Sequence, residues 1–187
     1  VELFPVHPVF LEKFEKIHVA ERREVLKTIS SKMKDLLDED IPLDFPGLIT
    51  YDSYWFQLHN DPTFLSNRDI KEVLDRSKTL EDKVKQSFPK PIYKEAALRI
   101  IHGLSVDRLT TPDIQAPIGL TTKEVRDGLL IHIPNLPQKD SDFLDGIIGV
   151  ILKDVMTTVS GQYIGKNEEN GQFYIDIKKA VDYDQNI

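Results

Sequence analysis

Three consecutive stretches decide the fold: residues 121–133, TTKEVRDGLLIHI; residues 140–161, DSDFLDGIIGVILKDVMTTVSG; and residues 162–177, QYIGKNEENGQFYIDI. Thr121 stands three residues before Glu124, the spacing at which an N-cap hydroxyl and a third-position carboxylate satisfy each other's backbone amides. A helix of about ten residues is predicted from there to Ile131, stopped by Pro134 and Pro137. Asp140 or Ser141 caps a second, longer helix. Its apolar side chains are Phe143, Leu144, Ile147, Ile148, Ile151, Leu152, Val155, Met156 and Val159, a continuous stripe at helical spacing that ends at Gly161. Two short runs then flank the turn Asn167–Gly171. Phe173, Ile175 and Ile177 alternate with Tyr174 and Asp176, the period of a half-buried strand.

Upstream, prolines mark the boundaries, because proline lacks the backbone donor and biases its predecessor away from the helical region. They fall at 5, 8, 42, 46, 62, 89, 91, 112, 117, 134 and 137. The intervals carry helical periodicity. Val9, Phe10, Phe14 and Ile17 share one side of a short helix. A second, near 20–38, places Val25, Leu26, Ile29, Met33, Leu36 and Leu37 in one stripe. In the aromatic segment 47–61, Asp52 and Ser53 are candidate N-caps. Ser66 or Asn67 caps a helix near 68–87 with Ile70, Val73, Leu74, Leu80 and Val84 inward. Residues 92–109 read as a further helix with Ala97, Leu98, Ile101 and Leu104 inward. The fold class is therefore mainly α with a small β-hairpin: a helical, lid-like bundle over residues 1–90, then a winged-helix-like domain over 91–187 in the order helix, helix, helix, hairpin.

Composition excludes several kinds of chemistry. The 187 residues contain no cysteine, which removes disulfides, zinc–thiolate sites and cysteine nucleophiles and fits a cytoplasmic protein. No apolar run approaches the ~18 residues of a membrane span. Gly161–Asn167 is not a P-loop: three residues rather than four separate its glycines, and Asn follows Lys166. His7, His18, His59, His102 and His132 share no metal-ligand spacing. No metal site and no self-contained catalytic site is predicted. Tyr54-Trp55-Phe56 could stack nucleobases, but such a cluster reads first as a plug between helices.

The charge balance bears on partners. The chain is −7 overall, with 31 acidic and 24 basic residues, and residues 121–177 hold five basic against nine acidic side chains, a balance of −4. A helix that reads a DNA groove brings positive charge to the phosphates, so protein contact is favoured over DNA in the winged-helix-like region. Arg22 and Arg23 open the helix near 20–38, where a helix start can hold an anion, although from the residues alone a pair of surface arginines is the favoured reading.

Phe4-Pro5-Val6-His7-Pro8 with Phe10, Leu11 and Phe14 resembles the segment that follows the nucleotide-binding core of large bacterial defence ATPases. Arg22–Lys27, Leu48–Trp55, Ala97–Ser105 and Val159–Tyr174 follow in the same order as in those proteins. Together these strings are similar to the PglY-type ATPases of phage growth limitation and BREX systems. The resemblance implies a piece of a longer prokaryotic chain, placed after an AAA+-like core, whose partners are the remainder of that ATPase and other defence-system proteins. ATP and magnesium would belong to the parent protein, with Arg22 or Arg23 as the arginine offered to the γ-phosphate. Val1 at position 1, with no initiator Met, agrees with an excised piece, trimming of a tag being the other reading. Two further readings are a stand-alone winged-helix DNA-binding regulator and a protein-interaction adaptor built on exposed apolar stripes.

Overall fold

The computed structural model describes residues 4–16, 22–38, 40, 47–58, 62–111, 113–133, 136 and 140–177, with the side chains of residues 22–25 and 63 excepted. Eight α-helices, one 3-10 helix and one hairpin occur among them. Helix α6 (Pro91–Arg108) is the centre. Pro91 starts it at a position where no amide donor is needed. From Ile100 to Arg108 every residue is buried, so the helix is covered on all sides. Around it lie α5 (Arg68–Ser87), the 3-10 helix (Tyr51–Tyr54) with α3 (Trp55–Leu58), α7 (Thr122–Leu129), α8 (Ser141–Thr158) and strand β2 (Phe173–Ile175). One buried apolar cluster runs from Val6 to Ile177.

The capping predictions for α5, α7 and α8 hold. Asn67 accepts from the amides of Asp69 and Ile70 at 3.0 and 3.3 Å. Thr121 and Glu124 form the reciprocal box, and Asp140 accepts from the Phe143 amide at 2.8 Å. Helix α7 ends earlier than the prolines suggest. Leu130 adopts left-handed geometry (φ 47°), so the helix closes at Leu129. Ile70, Val73, Leu74, Leu80 and Val84 of α5 are buried, as are Ile148, Ile151, Leu152 and Val155 of α8. Each such side chain contributes roughly 1.5–3 kcal/mol relative to exposure. Phe143, Leu144, Ile147 and Met156 are half-buried at the edges of the α8 stripe. Helix α8 stops at Thr158, and Gly161 (φ 73°) donates to the Met156 carbonyl at 2.8 Å.

Strand β1 (Ile164–Lys166) pairs antiparallel with β2, Ile164 opposite Ile175 and Lys166 opposite Phe173. A third extended segment joins β2: Leu120 and Phe173 exchange both backbone hydrogen bonds, at 2.9 and 2.8 Å, just before α7 starts. Gly119 makes that approach possible, because a Cβ there would lie 1.9 Å from the Phe173 carbonyl oxygen.

Two sequence expectations are corrected. The helix expected near 20–38 ends at Asp35 as α2 (Arg22–Asp35), and its apolar stripe is not a fully buried face: Leu26 is 67% and Met33 38% exposed, Ile29 is half-buried and Thr28 is buried, while Leu36, half-buried, and Leu37, 65% exposed, lie in the turn beyond. Helix α2 meets the body of the protein mainly at the 3-10 helix, so it is covered along one narrow line. Asp52 and Ser53 are not N-caps. Thr50 holds that position, the Ser53 hydroxyl donates back to the Thr50 carbonyl at 2.6 Å, and Asp52 is turned inward to an arginine. Ile17 and the proline stops at 134 and 137 lie outside the described residues.

Candidate functional site

The polar groups that matter sit where the N-terminal helices meet α6. Arg99 is the first node. Its Nε donates to Asp52 at 3.0 Å, and its Nη2 donates to the Thr50 hydroxyl at 2.9 Å and to the Leu129 carbonyl at 2.6 Å. One guanidinium thus ties α6 to the 3-10 helix and closes the C-terminal end of α7, where a cation also suits the helix dipole.

Lys13 and Asp107 make the second node. The ammonium of Lys13, on α1 (Pro8–Lys16), pairs with the buried Asp107 carboxylate on α6. Burial pushes the Asp107 carboxyl up, and Lys13 pulls it down in part. Beside this pair lies a cleft of about 290 Å³ between α1 and α7. Lys13, Lys16 and Lys123 line it together with Glu12, Glu124 and Asp127, and Tyr51 lies at its floor. Burial, with Asp107 and Asp52 nearby, raises the Tyr51 phenol well above its ordinary range, so it stays neutral. The mixed charge of the rim gives the cleft no preference for a simple anion.

The third node is Glu81 on α5, with only 3% of its side chain exposed. The Trp55 indole donates to it at 3.1 Å, Lys85 bonds to its other oxygen, and His102 lies 3.7 Å away. Burial alone would raise the Glu81 carboxyl; the nearby His102 imidazole and the Lys85 and Trp55 donors outweigh it and hold the group well below the usual carboxylate range. His102 stacks on Trp55 with centroids 5.8 Å apart and meets Phe56 edge-on at 5.2 Å. Tyr54 and Trp55 are fully buried, which agrees with the plug reading, whereas Phe56 is half exposed under Lys32.

Arg108 is the fourth. It is buried, bonds to the carbonyls of Ala116 and Ile118, and lies over the Tyr174 ring, so it fastens loop 109–120 and the hairpin to α6. Burial lowers its affinity for a proton from the ordinary guanidinium value.

Arg22 and Arg23 occupy the first two positions of α2, and their side chains lie outside the described residues. Around α8 two cations are paired within the chain, Arg126 with Asp127 and Asp145 and Lys90 with Asp154, whereas Lys153 on α8 is exposed. Among the described residues, no group of three or more His, Asp or Glu is placed to hold a metal ion, and no helix is long and apolar enough to cross a membrane. Sequence reading missed Arg99, His102, Asp107, Arg108 and Glu81. Their signal was a polar residue interrupting an apolar run, as in Leu98-Arg99-Ile100-Ile101-His102.

The architecture is that of a mainly helical protein with a two-stranded antiparallel sheet. Residues 1–181 match the family model described as the DUF6079 second domain, and the chain belongs to that family. No curated protein and no solved structure matches it.

Proposed function

We propose that the chain is a non-catalytic region of a large AAA+-like ATPase of a bacterial phage-defence system, with a lid-like helical part over 1–90 and a winged-helix-like domain over 91–187. It would work in the cytoplasm and couple nucleotide state to protein or nucleic-acid contacts. One observation carries the reading. Leu120 pairs with Phe173 of β2 in an isolated bridge immediately before α7, which supports reading α6, α7, α8 and the hairpin as a winged-helix-like order. The family's description as a second domain supports a place within a longer protein. Arg99 and the Lys13–Asp107 pair would transmit movement, since they join the 3-10 helix and α1 to α6. ATP and magnesium would be held by the rest of the parent protein, with Arg22 or Arg23 reaching the γ-phosphate. Protein partners are favoured over DNA, because the α8 region is acidic and two of its cations, Arg126 and Lys90, are paired within the chain.

Phosphate release from ATP tests this. The 187-residue chain should release none. The parent protein should turn over ATP, and Arg22→Ala or Arg23→Ala in it should cut turnover tenfold or more while nucleotide still binds. Turnover by the 187-residue chain would overturn the non-catalytic reading, and unchanged turnover in both variants of the parent would overturn the arginine assignment.

A further inference from the structure

The cleft between α1 and α7 holds polar groups that the fold does not use. Tyr51 at its floor is 1% exposed, yet its hydroxyl makes no hydrogen bond to any described residue. A phenol buried this far ordinarily finds a partner. Lys13 passes over the ring, 5.7 Å from its centroid, and gives the hydroxyl no bond. Gly128 lets α7 run close to the phenol: a Cβ there would stand 3.1 Å from a ring carbon and 3.5 Å from the hydroxyl oxygen. The hydroxyl is therefore a neutral donor held in place at the bottom of the cleft, with nothing in the fold to receive it.

Half of the charged rim is engaged within the chain. Lys13 pairs with Asp107, Glu124 belongs to the Thr121 capping box, and Asp127 pairs with Arg126. Glu12, Lys16 and Lys123 remain, and their side chains form no hydrogen bond or ion pair with a described residue. Glu12 and Lys16 stand one turn apart on α1, and Lys123 stands on the first turn of α7. The uncommitted set is thus one carboxylate, two ammonium groups and a phenol, with Val9 and Leu120 as apolar lining. A bare anion would meet Glu12 as well as the lysines. A molecule that carries both an ammonium and a carboxylate leaves neither sign unanswered. The volume of about 290 Å³ lies at the lower end of the roughly 300–1,000 Å³ of ligand clefts, so the occupant is small.

We propose that this cleft binds a free α-amino acid with an apolar side chain. Its carboxylate accepts from the Tyr51 hydroxyl between Lys16 and Lys123, its ammonium pairs with Glu12, and its side chain lies against Val9 and Leu120. The inference is independent of the ATPase reading. Saturation-transfer NMR of the 187-residue protein, titrated with leucine, isocaproate and isoamylamine, tests it. The three probes share a skeleton and carry both charges, the carboxylate alone and the ammonium alone. Leucine should bind with a submillimolar Kd and each of the others tenfold or more weaker. Tyr51→Phe should weaken leucine tenfold or more and leave the urea midpoint unchanged, because the hydroxyl it removes is bonded to nothing in the fold. Glu12→Gln should weaken leucine but not isocaproate, whereas Lys123→Ala should weaken both. The proposal is overturned if leucine does not bind at millimolar concentration, if isocaproate binds as tightly as leucine, or if the Tyr51→Phe protein binds leucine like the parent.

Discussion

Replacing Gly119 by alanine is the sharpest test of how the hairpin is held. The added Cβ would lie 1.9 Å from the Phe173 carbonyl oxygen and 2.6 Å from its carbon. To reach ordinary contact, that backbone must retreat by more than about 1 Å. The obstacle is main chain, so no side-chain rotation relieves it. The two hydrogen bonds exchanged by Leu120 and Phe173 are lost or badly bent, at about 1 kcal/mol each. Leu120 and Phe173, both buried, also lose part of their packing. Together these losses come to roughly 3 kcal/mol, a large part of a typical domain's 5–15 kcal/mol. Gly146→Ala is the matched control, the same chemical change in open space, and should stabilise by about 0.8–1 kcal/mol. Urea unfolding followed by far-ultraviolet circular dichroism and by Trp55 fluorescence measures both. A Gly119→Ala protein within about 0.5 kcal/mol of the parent, below what one lost hydrogen bond costs, would refute the placement of the Leu120 segment on the hairpin.

Acid stability should depend on Glu81. Its folded-state proton affinity is lowered, so its contribution is present above the ordinary value of 4.5 and fades as pH falls below it; urea midpoints between pH 5 and 3 should therefore fall less steeply in Glu81→Gln than in the parent. Trp55→Ala should cost about 3–5 kcal/mol, and Phe56→Ala, half exposed, should cost well under half of that in the same unfolding assay. Arg99→Ala leaves Asp52 buried without its cation and should cost about 3 kcal/mol, whereas Thr121→Ala, which removes an exposed cap, should cost about 1 kcal/mol; an Arg99→Ala protein as stable as Thr121→Ala would contradict the node.

Local interactions made much of this fold legible from residue order. The Thr121–Glu124 box, the Asn67 and Asp140 caps and the stripes of α5 and α8 depend on side chains within a few positions of one another, so spacing sufficed to find them. The alternation of Phe173, Ile175 and Ile177 likewise names the inward face of its strand, and all three are buried. Tertiary placement decided the rest. Residues 20–38 have as clear an apolar stripe as α5, yet Leu26, Met33 and Leu37 face water, because periodicity says which residues share a face and not whether another element lies against it. Asp52 reads as an N-cap candidate, and residue order singles out none of Glu81, Arg99 and Asp107, until the fold brings Arg99 to Asp52 across 47 positions, Trp55 to Glu81 across 26 and Lys13 to Asp107 across 94. Burial then makes those charges matter, since only in a low-dielectric interior must a charge find its partner or give up its proton.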